Sequence, residues 1–248
     1  MISLTSLDIK IFADGADLDV IRKLYANPLI RGFTTNPTLM NKAGITDYEA
    51  FGRAVLAAVP DRPVSLEVLA DDFGAMIAQG RTIAGWGQNA NIKIPVTNTT
   101  GAFTGPVIRA LAEAGVTVNV TAVMTIEQVK AVARCLTPNV AAIVSVFAGR
   151  VADTGRDPVP HMAACRDALR HVPKAELLWA SPRELLNIFQ ADAVGCHIIT
   201  ATPDVLKKLA LVGKDLDLYS RETVLMFYND AKAAGFTIPT ADRVAAAE

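Results

Sequence analysis

Apolar and polar positions along this chain keep two rhythms. Eight short runs, at 9–14, 32–36, 64–69, 90–96, 116–123, 141–147, 175–180 and 195–201, are rich in β-branched and other apolar residues. Near-continuous apolar runs of this length read as strands covered on both faces. The stretches between them, such as 17–27, 48–59, 102–114 and 126–136, place apolar residues at i, i+3, i+4 and i+7, the signature of amphipathic helices. Strand then helix, eight times over, predicts an α/β fold, a closed (β/α)8 TIM barrel formed by one domain over residues 1–248. A further amphipathic helix at 219–234 and a tail at 235–248 follow the eighth unit. A doubly wound open sheet is the alternative, but no Gly-x-Gly-x-x-Gly follows the first strand, where Gly15 stands alone.

Composition narrows the classes of partner. Lys and Arg number 24 against 25 Asp and Glu, so no basic excess points to nucleic acid. No segment stays apolar for the roughly 20 residues that a membrane span needs, and residues 1–10 carry Asp8 and Lys10 rather than a leader-like apolar core. A soluble, cytoplasmic protein is expected. Cys135, Cys165 and Cys196 are odd in number and far apart, which fits reduced core thiols. His161, His171 and His197 lack zinc-ligand spacing, so they are read as structural, with no metal expected.

The chemistry starts from Lys93, alone in the run Ile92-Lys93-Ile94-Pro95-Val96. An ammonium buried without a partner costs several kcal/mol, and such an amine tends to give up its proton and become a nucleophile suited to attack on a ketone or aldehyde. The bland reading is a strand-end lysine whose head reaches water or a carboxylate. In a (β/α)8 barrel the active site forms at the carboxyl ends of the strands. Polar residues fall there on seven of the eight: Asp14, Thr34-Thr35-Asn36-Pro37, Glu67, Lys93, Asn119 with Thr121, Ser145 with Arg150, and Ser181 with Arg183. Asp14 and Asn36 suit helix caps as well. Ser181-Pro182-Arg183-Glu184 reads as a capping box with Ser181 at the N-cap, and a helix start beside an arginine also suits a phosphate. Thr117, Asn119 and Thr121 alternate along one strand and so share its inward face, which capping does not explain. Glu67, ionised inside Val64-Ser65-Leu66-Glu67-Val68-Leu69, needs a cation, and Lys93 on the next strand is placed to supply one.

Assembled in order, these pieces resemble the transaldolase family, closest in length to the short subgroup that includes the fructose-6-phosphate aldolases. The resemblance covers about the first 210 residues and rests on Asp14, Thr34-Thr35-Asn36-Pro37, Glu67, Ile92-Lys93-Ile94-Pro95, Asn119-x-Thr121, Ser145-Val146-Phe147 with Gly149-Arg150, and Ala180-Ser181 with Arg183. It implies that Lys93 forms a Schiff base with carbon 2 of a ketose phosphate, and that Asp14 takes the carbon-4 hydroxyl proton as the bond between carbons 3 and 4 breaks. Glu67 and Thr121 would move protons through a water. Asn36, Asn119 and Ser145 would hold the dihydroxyacetone hydroxyls, with Phe147 lining the pocket. Arg150, Ser181 and Arg183 would grip the phosphate.

Family members with glutamate at position 67 resemble transaldolases, whereas those resembling the aldolases carry glutamine there and tend to carry tyrosine at position 147. Glu67 and Phe147 therefore imply transfer to an aldose phosphate. Cleavage releasing dihydroxyacetone, or the same transfer on another anionic sugar such as a sulfonated ketose, is the alternative. A catalytically silent barrel that binds sugar phosphates is a third reading. Pro182 replaces the larger apolar residue usual between the serine and the arginine, and residues 153–161 read as a polar surface loop. The resemblance implies no cofactor, sugar phosphates as ligands, and a homo-oligomer of unspecified size.

Overall fold

The computed structural model describes residues 4–238. Its larger compact unit, Ser6–Leu209, contains eight strands. These are β1 (Lys10–Asp14), β2 (Ile30–Thr34), β3 (Val64–Glu67), β4 (Ala90–Pro95), β5 (Val118–Val123), β6 (Ala142–Val146), β7 (Ala175–Trp179) and β8 (Ile198–Ala201). They pair in parallel in chain order and close β8 onto β1, so the expected (β/α)8 barrel forms. The strand bounds depart from the runs read in the sequence, and at two strands the cause is visible. Thr35 and Asn36 lie past the end of β2, where Asn36 already caps the helix Pro37–Lys42. At the other, Gly195 turns with a φ of 76°, so β8 starts only at Ile198.

Alternation along each strand separates two faces. Leu66, Ile92, Ile94, Val118, Val120, Val144 and Leu177 are fully buried. Between them, Ser65, Glu67, Lys93 and Asn119 occupy the positions of opposite phase, and the ladder places Glu67 beside Lys93 and Lys93 beside Asn119. The barrel interior is plugged by Phe12, Ile143, Leu178, Ala180 and Ile198. Phe12 fits because residue 32 is glycine: a β-carbon there would stand 2.5 Å from the Phe12 ring. Overpacking of that kind costs about 1–3 kcal/mol. The plug gives the cavity above it a floor.

The helices are set by their caps. Asp17, Asp47, Asp72 and Thr125 each accept backbone N–H groups at the starts of Leu18–Tyr25, Tyr48–Ala58, Phe73–Ala84 and Ile126–Ala133, and Thr125 with Gln128 forms a full capping box. Part of the stretch 153–161 is helical, since Asp157 caps Pro158–Ala168. Cys135, Cys165 and Cys196 are buried and free, and burial pushes the Cys165 and Cys196 thiols up to about 12. His197 holds a structural bond, its Nδ1 accepting the Leu177 N–H at 2.9 Å.

The second unit takes in the chain from Ala210 onward. Its helix, Leu216–Ala233, starts three residues before the expected 219 because Asp215 caps it, accepting the Leu218 N–H. None of its residues is buried; Val224, Leu225, Phe227 and Tyr228 are exposed. The tail expected at 235–248 lies outside the described residues beyond 238. No helix among the described residues is long and apolar enough to cross a membrane.

Candidate active site

A cavity of about 370 Å³ opens at the carboxyl ends of the strands. Asp14, Asn36, Glu67, Lys93, Asn119, Thr121, Ser145, Phe147, Arg150 and Ser181 line it, ten of the eleven residues singled out in the sequence. Arg183 does not. Its Nε donates to Asp153 Oδ1 at 3.0 Å and its Nη2 to Oδ2, a two-pronged pair that occupies the edge of the guanidinium suited to an oxyanion.

At the centre, the Lys93 ammonium donates to Glu67 Oε2 and to the Thr35 carbonyl, each at 2.8 Å. The two side chains are 8% and 16% exposed, so the lysine is buried but not alone. The Glu67 carboxylate, read in the sequence as its partner, and the Thr35 carbonyl offset the desolvation of the ammonium. Thr35 reaches this position because the chain continues past the end of β2, and its own hydroxyl is bonded to the Ser65 carbonyl at 3.0 Å.

Asp14 ends β1 and faces inward. Thr34 Oγ1 donates to its Oδ1 at 2.8 Å and Asn36 Nδ2 to its Oδ2 at 3.5 Å. Burial pushes the Asp14 carboxyl above the usual aspartate range, against the opposing pulls of the Thr34 bond, the Lys93 charge and the Asn36 bond. A carboxylate with a raised pKa is a stronger base. Asp14 caps no helix, since Asp17 does so, whereas Asn36 makes the cap read for it, accepting the Leu39 N–H at 3.0 Å, while its amide faces Asp14.

Across the mouth, Ser145 Oγ donates to Asn119 Oδ1 at 2.6 Å and Asn119 Nδ2 donates to Ser65 Oγ at 3.0 Å. Thr121 is 3% exposed. The residue after it, Ala122, has a φ of 60°, within an irregularity of the β5–β6 ladder between Val120 and Val123. A bulge of this kind re-aims side chains at a barrel rim. Thr117 has their inward phase, as read, but lies before β5 and so opens on the opposite mouth beside Asn91 and Glu176. Phe147 packs on the barrel plug, and the Arg150 guanidinium stands 5.7 Å above its ring.

The capping box at Ser181 does not form. Ser181 has a φ of 57°, a left-handed conformation foreign to an N-cap, and the helix begins at Leu186. Asn187 Oδ1 instead accepts the N–H groups of Arg183 and Glu184 at 2.8 and 3.1 Å. The strained turn is held against Gly149: a β-carbon there would fall 1.6 Å from the Ser181 carbonyl oxygen, so only glycine fits.

Of the other lining residues, Thr200 escaped the sequence reading, and Thr34 was named there at the rim but given no role. Thr200, a lone hydroxyl in Ile198-Ile199-Thr200-Ala201, makes β8 the eighth strand to reach the cavity. Its Oγ1 lies 2.6 Å from Thr34 Oγ1; because Thr34 donates to Asp14, Thr200 is the donor to Thr34. Thr34, two residues before Asn36, carried the signal of a shared strand face. Among the described residues, no group of three or more His, Cys, Asp or Glu side chains is placed to hold a metal ion.

This geometry suits covalent carbonyl chemistry: a buried amine with an acid–base partner, a separate base, and hydroxyl and amide groups around both. Comparison with known proteins gives the family. The family profile described as Transaldolase/Fructose-6-phosphate aldolase matches residues 11–238. A probable transaldolase of Nitrosopumilus maritimus is 33% identical over 202 residues, 81% of this chain and 86% of its own. One of Hyphomonas neptunium is 33% identical over 231 residues, 92% of this chain and 100% of its own. Among solved structures, orotidine 5'-monophosphate decarboxylase from Metallosphaera sedula superposes at a TM-score of 0.54 with 13% identity, over 82% of this chain and 95% of that one. KGPDC from Streptococcus mutans does so at 0.55 with 10% identity, over 82% and 91%. Those two likenesses are of the barrel alone, whereas the profile and the relatives extend over most of the chain: it belongs to the transaldolase/fructose-6-phosphate aldolase family.

Proposed function

We propose that this enzyme transfers a dihydroxyacetone unit from a ketose phosphate, fructose 6-phosphate or sedoheptulose 7-phosphate, to an aldose phosphate through a Schiff base on Lys93. The observation that carries this reading is the buried Lys93–Glu67 pair opening on a cavity that Asp14 also lines. Glu67 takes a proton from Lys93, and the freed amine attacks the carbon-2 carbonyl. Glu67 and Thr121, through a water, then protonate the departing hydroxyl of the carbinolamine. Asp14, its basicity raised by burial, removes the carbon-4 hydroxyl proton. The bond between carbons 3 and 4 breaks, its electron pair moves into the imine as an enamine, and an aldose phosphate leaves. The acceptor aldehyde adds by the reverse path, and hydrolysis frees Lys93.

Asn36, Asn119 and Ser145 hold the dihydroxyacetone hydroxyls and Phe147 lines the pocket. Arg150 and Ser181, both at the cavity, meet the phosphate first. Arg183 joins them only after leaving Asp153. Cleavage with release of dihydroxyacetone is the second reading, and Glu67 and Phe147 weigh against it through the family resemblance. The reading includes a cytosolic setting, supported by three buried, free cysteines. A homo-oligomer is part of the same reading, supported by the exposed Val224, Leu225, Phe227 and Tyr228 on Leu216–Ala233.

Borohydride trapping after incubation with fructose 6-phosphate tests this. The expected outcome is a reduced three-carbon adduct on Lys93, absent in Lys93→Ala and depleted by erythrose 4-phosphate. An adduct untouched by the acceptor sinks the transfer, and no adduct sinks the mechanism.

A further inference from the structure

Two ladder bonds join the end of β2 to β3: the Phe33 N–H donates to the Pro63 carbonyl at 2.8 Å and the Thr35 N–H to the Ser65 carbonyl at 3.2 Å. The next donor in that series belongs to residue 37, which is proline and has no N–H. The Glu67 carbonyl, next in the acceptor series, receives the Tyr48 hydroxyl instead, at 2.7 Å. Tyr48 opens the helix Tyr48–Ala58, and its ring stands edge-on to Trp86 with centroids 5.7 Å apart. Burial pushes the phenol above the ordinary tyrosine range, so it stays protonated and able to donate through the neutral range. Beyond Glu67 the chain is held on the same side, where Gln79 Oε1 accepts the N–H groups of Leu69 and Ala70 at 2.8 and 2.9 Å.

We propose that Tyr48 is a positioning residue for the Lys93–Glu67 pair, its hydroxyl replacing the ladder donor that Pro37 lacks and so holding the end of β3 where the Glu67 carboxylate meets the Lys93 amine. The proposal rests on the reading that Glu67 moves protons for Lys93. A carbonyl left without its donor is free to rotate at the strand end, and the carboxylate one side chain away moves with it. Proton transfer across a 2.8 Å contact is sensitive to displacements well under 1 Å.

The test is a double-mutant cycle of Tyr48→Phe and Glu67→Gln in the intact enzyme, read as kcat and KM for transfer from fructose 6-phosphate to erythrose 4-phosphate, with unfolding midpoints alongside. Tyr48→Phe keeps the ring against Trp86 and deletes only the hydroxyl. It is expected to lower kcat about tenfold with KM within about twofold, and to cost less than about twofold in the Glu67→Gln background. The amide variant retains the main-chain carbonyl, so any loss of stability is the same in both backgrounds. Only a route through the carboxylate makes the kinetic losses unequal. Wild-type kcat in Tyr48→Phe, or equal losses in both backgrounds, overturns the assignment of Tyr48 and leaves Glu67 standing. Wild-type kcat in Glu67→Gln overturns the role of Glu67 itself, and this proposal with it.

Discussion

The barrel carries a lysine–glutamate pair at each of two cavities. Lys93 and Glu67 meet at 2.8 Å at the carboxyl ends of the strands, with side chains 8% and 16% exposed. Lys10 and Glu176 meet at 2.6 Å on the opposite mouth, 47% and 32% exposed. The two contacts have the same partners and similar lengths, yet differ in what water does to them. At the open pair, solvent screens both charges and either ion is content alone. At the closed one, each charge depends on the other, so moving a single proton alters the balance of the whole site. Pairing alone does not set the two apart; burial, together with neighbours such as Asp14, does.

Breaking the closed pair has the largest expected effect. Lys93→Ala removes the proposed nucleophile and is expected to lower transfer by about 10⁴-fold or more. It also strands the Glu67 carboxylate, at a cost of about 3 kcal/mol in chemical denaturation. Asp14→Asn comes next, with a loss of about 10³-fold in kcat/KM. Its pH profile sharpens the comparison. Burial raises the folded pKa of Asp14 above the unfolded value of about 3.9. The protonated form is therefore favoured by folding, and that contribution is complete below the unfolded value and lost as pH rises through the folded one. The base it supplies gains in the same interval. The acid limb of kcat/KM is expected above the ordinary aspartate range, and it should vanish in Asp14→Asn. That variant should also unfold at a higher midpoint than wild type at neutral pH; an unchanged acid limb removes Asp14 as the base.

Glu67→Gln is expected to cost about 10²-fold in transfer, and to raise the share of turnovers that release free dihydroxyacetone, assayed with and without erythrose 4-phosphate. An unchanged partition would separate residue 67 from the choice between transfer and cleavage. The smallest effect belongs to the open pair. Lys10→Met should shift stability by less than about 1 kcal/mol and leave kcat at the wild-type value. A large kinetic loss there would erase the distinction between the two mouths.

Most of the candidate site was legible because apolar strands make each polar residue conspicuous. Lys93, Glu67, Asn119 and Ser145 interrupt runs that would otherwise be buried throughout, and period-2 alternation puts them all indoors. What was misread involves partners remote in the chain. Ser181-Pro182-Arg183-Glu184 looks like a capping box, but the packing of Gly149 against the Ser181 carbonyl holds Ser181 at a φ of 57°. Arg183 looks free for phosphate, but Asp153 lies within its reach across the neighbouring βα loops. Thr200 was passed over because one hydroxyl in a short strand carries little signal until Thr34 is found 2.6 Å away.

Local physics settled the elements of this protein from the chain alone. Burial on both faces demands apolar strands, helices demand caps, and the order of the two demands a parallel barrel, whose chemistry gathers at one rim. Partners belonged to the folded state. Lys93 and Glu67 were paired in the sequence reading because adjacent strands bring them together, but whether Arg183 faces substrate or Asp153, and whether Tyr48 touches Glu67, depend on separations of a few ångströms between residues 30 and 19 positions apart. Hydrogen bonds and ion pairs fall off over such distances, and no periodicity in sequence encodes them.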